Sequence, residues 1–154
     1  MATTVTASTL SVTISEKITL NGVSRNGSTT QSIGSIREIS NRIINVTNSS
    51  GGTELVEFAD TAGAVGPGKY DKGAVKYLRL TNLDDTYHIT VQSTDESAHH
   101  WEQKVEAGKS ILFGDPSSVD AHADIESTSF VKILKIIAQA DTAAVDVELY
   151  IAST

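Results

Sequence analysis

Val145-Asp146-Val147-Glu148-Leu149-Tyr150-Ile151 places an apolar side chain at every second position and a polar or amphipathic one between. In an extended chain, successive side chains point to opposite faces, so this stretch reads as a strand with one dry face and one wet face. Leu10, Val12 and Ile14 alternate with Ser11, Thr13 and Ser15 in the same manner. Ile18 and Leu20 carry that segment to Asn21-Gly22. An Asn-Gly step supplies the positive φ angles of a tight hairpin turn.

The same period recurs along the chain. Residues 39–46, 54–58, 74–81, 87–91, 101–106 and 110–113 read as strands. Residues 74–92 are expected to form a hairpin turned at 82–86, with Asp84-Asp85 as turn residues. Ala107-Gly108-Lys109 turns the strand at 101–106 into its return at 110–113. The apolar run 130–140 is long enough to be ambiguous, and β-branched Val131, Ile133, Ile136 and Ile137 decide for strand. Residues 141–144 then turn the chain into the last strand. Loops are expected at 21–35, 60–73 and 114–129. Eight or nine strands and no helix predict an all-β fold, a single-domain β-sandwich of jelly-roll-like form over residues 9–154. Polar residues 1–8 are expected to be a flexible N-terminal arm, or one ordered only by a partner.

Composition bounds the chemistry. The 154 residues are long enough for one domain with a real core. The chain has no cysteine, which removes disulfides, thiolate nucleophiles and cysteine-based zinc sites. No apolar run approaches the roughly 20 residues of a membrane span, and residues 1–5 do not read as a signal peptide. The net charge of −7 disfavours binding to nucleic acid or anionic membrane. It is uneven: residues 1–81 carry 8 basic and 6 acidic residues, whereas residues 82–126 carry 10 acids against Lys104 and Lys109. Such asymmetry is a solvated face, or one that meets a basic neighbour or a cation.

Candidate sites are few. Asp120, His122, Asp124 and Glu126, spaced by two, would share one face of an extended segment and offer oxygen and imidazole ligands to a divalent cation. A solvated acidic loop is the preferred reading. His99 and His100 are adjacent, so a strand would point them to opposite faces. Neither a Gly-x-Ser-x-Gly elbow nor a phosphate loop is present: Tyr70 stands after Lys69 where Ser or Thr is required. Trp101, the one tryptophan, is expected to be buried, with a sugar-stacking platform as the alternative. The chain is therefore expected to have no catalytic residues, no cofactor and no metal, and not to be an enzyme.

The stretch 73–91, Gly-Ala-Val-Lys-Tyr-Leu-Arg-Leu-Thr-Asn-Leu-Asp-Asp-Thr-Tyr-His-Ile-Thr-Val, resembles a segment of small tailed-bacteriophage virion proteins. Residues 105–113, Val-Glu-Ala-Gly-Lys-Ser-Ile-Leu-Phe, resemble the glycine-centred turn before an apolar strand in the same proteins. Capsid decoration, or cement, proteins fit the length best. The resemblance implies binding to the outer surface of the head, with the major capsid protein as partner, and stabilised contacts between capsid subunits. It further implies a homo-oligomer, a trimer being favoured, no nucleic acid or membrane partner, and a virion location after synthesis in the bacterial cytoplasm. The alternative is a receptor- or carbohydrate-binding module of a tail fibre, or another tail structural protein. The resemblance carries over no site residues.

Overall fold

A computed structural model describes residues 4–59, 66, 68–113, 120–123 and 130–154. Their regular structure is all strand. In chain order these are β1 (Ser8–Glu16), β2 (Thr19–Leu20), β3 (Val23–Ser24), β4 (Gly27–Ile36), β5 (Glu38–Val46), β6 (Thr53–Ala59) and β7 (Lys69–Asp71). There follow β8 (Val75–Asn82), β9 (Ile89–Asp95), β10 (His100–Val105), β11 (Ser110–Phe113), β12 (Asp120–Ala123), β13 (Phe130–Ala140) and β14 (Val145–Ser153). Among the described residues no helix is long and apolar enough to cross a membrane.

Two sheets carry most of the chain. One is four-stranded, in the order β11-β8-β14-β5; the other runs β10-β9-β13-β6-β7, with β12 also pairing β13. All of these pairs are antiparallel except β6 with β7. The alternation of β14 sends Val145, Val147, Leu149 and Ile151 inward, where they join Leu78 and Leu80 of β8. Val56 and Phe58 of β6, Ile89 and Val91 of β9, and Ile133 and Ile136 of β13 come from the other sheet into the same cluster. Each large side chain so buried contributes about 1.5–3 kcal/mol relative to exposure.

The strands read from sequence at 39–46, 54–58, 74–81, 87–91, 101–106, 110–113 and 130–140 all form, but several of their expected partners are wrong. Residues 74–92 are not a hairpin: β8 pairs β11 and β14, while β9 pairs β10 and β13 in the other sheet. Likewise β10 and β11 do not return on one another, and β13 and β14 lie in different sheets. Alternation specifies that a strand has a dry face; it carries no information about which neighbour completes the ladder. The expected loop at 21–35 is also corrected. Residues 27–36 form β4, paired with β1 from Glu16↔Gly27 to Ser8↔Ile36. Both faces of most of β4 are exposed, so selection for alternation is absent and the strand reads as a polar linker.

One residue explains why the chain changes sheets at this end. Asn82 ends β8 with its side chain fully buried. Its Nδ2 donates to Tyr87 O (2.9 Å) and Val105 O (3.2 Å), and its Oδ1 accepts from Asp84 N (3.0 Å). Its backbone N donates to Lys109 O at 2.9 Å, and Leu83 N donates to Asp146 O at 2.9 Å. The carboxamide thus clips the β8–β9 link to the end of β10, while the backbone beside it holds the β10–β11 link and the start of β14. Asp84 completes the turn as sequence suggested: its Oδ1 accepts from Thr86 N and Tyr87 N, both at 2.7 Å. The β5–β6 crossing depends on Gly52 (φ +68°), where a Cβ would stand 2.8 Å from Ala138 O.

Replacing Asn82 by Ala leaves two buried carbonyls and one amide without their partner. Asn82→Ala is expected to cost about 2–4 kcal/mol in urea unfolding, and Asn82→Asp, which turns an acceptor toward two carbonyls, at least as much. A loss below about 0.5 kcal/mol in both variants would show that the clip is dispensable.

Candidate functional site

Residues 8–36 stand apart from the two large sheets. Among the described residues β1 and β4 pair only with each other, and β2 and β3 form the tip. Asn21 (φ 50°) and Gly22 (φ 76°) make the expected tight turn, with Leu20 opposite Val23. Asn26 Oδ1 accepts from Ile18 N, and Arg25 N donates to Ile18 O, which ties the tip where the long strands end.

The hairpin has two unlike faces. On one, Thr13 Oγ1 meets Thr30 Oγ1 at 2.9 Å and Ser15 Oγ meets Ser28 Oγ at 3.3 Å, a hydroxyl ladder that suits water. On the other, Leu10, Val12 and Ile33 pack with Ile36 against Tyr77, Tyr150 and Ala152 on the outer face of the four-stranded sheet. The Tyr77 and Tyr150 rings meet edge to face with centroids 6.1 Å apart, and the Arg79 guanidinium lies 5.6 Å over the Tyr150 ring. Burial pushes the Tyr77 hydroxyl pKa above its ordinary value, against the pull of Arg79.

The apolar face does not stop where this support stops. Ile14, Ile18, Leu20 and Val23 continue toward the tip and are 50–54% exposed. A lone two-stranded hairpin is marginally stable in water, and its two outer edges present unpaired backbone groups. A hairpin anchored at its base and apolar to its tip is built to be covered. Between it and the sheet lies a groove of about 530 Å³, walled by Val12 and Ile14 on one side and Arg79, Leu112 and Tyr150 on the other.

The outer sheet face beyond the hairpin base is likewise uncovered. Strand register aligns Thr81, Glu148 and Ile43 in one row, and Asp146 with Asn45 in the next. Leu83 joins the second row through its bond to Asp146 O. Ile43, Leu83 and Leu112 are 65%, 47% and 44% exposed. Acids border them: Asp146 accepts from Asn45 Nδ2 at 2.8 Å, Glu148 pairs with Arg79 at 2.5 Å, and Asp84-Asp85 follow Leu83 in the adjoining turn. Backbone hydrogen bonds from Tyr87, Thr86 and Asp85 hold the Asp84 pKa below the usual aspartate value.

Two other features were candidates. A cleft of about 550 Å³ lies between β5 and β7, lined by Arg42, Lys69, Tyr70 and Asp71 among others. Arg42 Nη2 donates to Leu55 O there, while Arg42 Nε is buried without a partner among the described residues. At the β9–β10 turn, Asp95 is buried and accepts from Ser97 N (2.8 Å), His99 N (2.9 Å) and the His99 ring (Nδ1, 2.9 Å). Burial works against this carboxylate, and the bonds from His99 and Ser97 outweigh it, so its pKa lies below the ordinary 3.8.

The residues singled out in the sequence are scattered. His99 sits in the turn on Asp95, and His100 begins β10 with Nδ1 3.2 Å from Thr94 Oγ1. Trp101 is not buried as expected: it is 42% exposed, with its ring edge-on to Phe113 (6.3 Å). It lies on β10, an edge strand of its sheet. Of Asp120, His122, Asp124 and Glu126, the structure describes only the backbone of Asp120–Ala123, in irregular register with β13; the rest of that series lies outside the described residues. Among the described residues no three acidic or histidine side chains gather as a metal site. Residues 60–65 and 67 of the expected middle loop, and residues 1–3, also lie outside the described residues. The hairpin, the largest unexplained apolar feature, was missed as a unit, although Asn21-Gly22 between apolar residues signals it.

Comparison of the chain with protein families, with curated proteins and with solved structures returns no match.

Two outcomes follow from this geometry. Ile33→Ala, at the packed base, is expected to cost about 2–4 kcal/mol, whereas Leu20→Asp at the tip stays within about 0.5 kcal/mol. Equal losses in denaturant melts of dilute, monomeric protein would mean that the tip packs on its own body. Separately, a lowered pKa means that charged Asp95 stabilises the fold above the ordinary aspartate range, and that this contribution is lost as pH falls through the folded value. Asp95→Asn should therefore lower the melting temperature at neutral pH, with the gap to wild type closing in acid; a gap independent of pH would contradict the assignment.

Proposed function

We propose that this chain is a structural, non-enzymatic subunit of a tailed-bacteriophage particle: a capsid decoration protein that binds the outer head surface and stabilises contacts between capsid subunits. On this reading its partner is the major capsid protein, it acts as a homo-oligomer with a trimer favoured, and it binds neither nucleic acid nor membrane. It is made in the bacterial cytoplasm and resides on the virion. Its two large sheets and their common core are the two layers of a single-domain, jelly-roll-like β-sandwich.

The observation that carries this reading is the anchored hairpin with an apolar, uncovered tip. A lattice of repeated subunits rewards such an arm, because each copy makes a few weak contacts and the set is tight. The acidic surface supports it as well, since a protein on the outside of a filled head gains nothing from affinity for packaged nucleic acid. The resemblance of residues 73–91 and 105–113 to virion proteins points the same way. A second reading, a receptor- or carbohydrate-binding module of a tail fibre, draws on the exposure of Trp101. Stacking on a sugar needs an exposed ring, and here Trp101 is 42% exposed and meets Phe113 in a T-shaped contact.

Co-sedimentation separates the two readings. The purified chain is expected to pellet with assembled heads and not with free capsid subunits, and Trp101→Ala should leave that binding unchanged. Binding to host cells or glycans that Trp101→Ala abolishes, with no head binding, would replace decoration by the receptor reading.

A further inference from the structure

The hairpin tip and the bare end of the outer sheet face are complementary surfaces of one molecule that do not meet within it. The tip offers Ile18, Leu20 and Val23, each more than half exposed, with Lys17 and Arg25 beside them and Glu16 as the single acid. The sheet face offers Ile43 and Leu83, also exposed, with Glu148 and Asp146 of β14 between their strands and Asp84 and Asp85 in the adjoining turn; its Glu148 is already matched by Arg79. The tip carries two bases to one acid, and the sheet face a net negative charge.

We propose that the hairpin tip of one copy seats on the outer face of the four-stranded sheet of a second copy, with Leu20 and Val23 against Ile43 and Leu83, and with Lys17 and Arg25 facing Asp84, Asp85 and Asp146. The arm's own body is excluded as the seat, because the base is fixed at the Tyr77–Ala152 end of the same face and the tip remains exposed. A second copy is favoured over an unrelated partner by charge. The chain outside the hairpin is strongly acidic, so a copy approaching with its weakly basic arm foremost is attracted and one approaching body-first is repelled. The contact is heterologous, since a tip meets a different surface; it therefore closes into a ring or extends, and a three-membered ring is one closed solution. This inference rests on the homo-oligomeric part of the function proposed above and not on head binding.

The test uses two variants of exposed residues, Leu20→Asp in the arm and Ile43→Asp in the seat, examined by analytical ultracentrifugation at about 100 μM. Wild type is expected to associate, and each variant alone to be monomeric, with association weakened by at least about tenfold. An equimolar mixture should then yield a heterodimer and nothing larger, because Ile43→Asp supplies a working arm and Leu20→Asp a working seat. Arg25→Glu, which keeps the apolar tip, is the control for any folding loss in Leu20→Asp and should weaken association as well. A monomeric wild type, variants that associate as wild type does, or a mixture that stays monomeric would each overturn the contact. Because solution mass involves no heads, that failure would leave the decoration reading to be scored by co-sedimentation alone.

Discussion

The Asn82 carboxamide is the point on which the two large sheets depend. Neither sheet is a run of hairpins; the chain passes between them after β5, β7, β8, β10, β11 and β13. Every such passage leaves backbone groups that the ladders cannot satisfy, and leaving them dry would cost more than the packing there gains. Asn is the side chain that suits the place, because it donates and accepts from one planar group. It gives two protons to Tyr87 O and Val105 O and takes one from Asp84 N. Leu, of similar size, would fill the space and strand all three partners.

That residue also marks the limit of what periodicity reveals. The strands legible in the sequence are those with one dry face, such as β14 and β8, where burial imposes alternation. Asn82 sat in a polar run that reads as turn, and nothing local distinguishes a buried, fully bonded Asn from a solvated one. The hairpins expected at residues 74–92 and 101–113 failed for the same reason: turn chemistry was right and the destination was wrong. β4 was illegible because water lies on both sides of most of it. Its Thr and Ser pair across to β1 through hydroxyls, a composition shared with linkers. The functional region was half legible. Asn21-Gly22 gave the turn, but exposure of Ile14, Ile18, Leu20 and Val23 is a tertiary fact. The same holds for Trp101, whose place on an edge strand decides its exposure.

The hairpin and the sheet it leaves divide the apolar surface by purpose. At the base, Ile33 and Ile36 are buried against Tyr77 and Ala152, which fixes the direction of the arm. Farther out, Ile14, Ile18, Leu20 and Val23 are about half exposed. Anchoring costs the arm its freedom before any partner arrives, so less ordering entropy remains to be lost on contact than for a floppy tail. The hydroxyl ladder on the opposite face keeps one side wet, which limits how many ways such an arm can stick.

Strand order has a consequence for how the protein comes into being. β13 sits between β9 and β6 in one sheet, and β14 sits between β8 and β5 in the other. These two strands are therefore the keystones of both layers. Without them, one layer is split into β9–β10 and β6–β7, and the other into β8–β11 and a single β5. The β1–β4 hairpin and the β9–β10 pair, whose contacts are local, can close early, while the layers stay divided. Closing the two layers is then slow for the chain's size, since the pairings that do so are far apart in sequence.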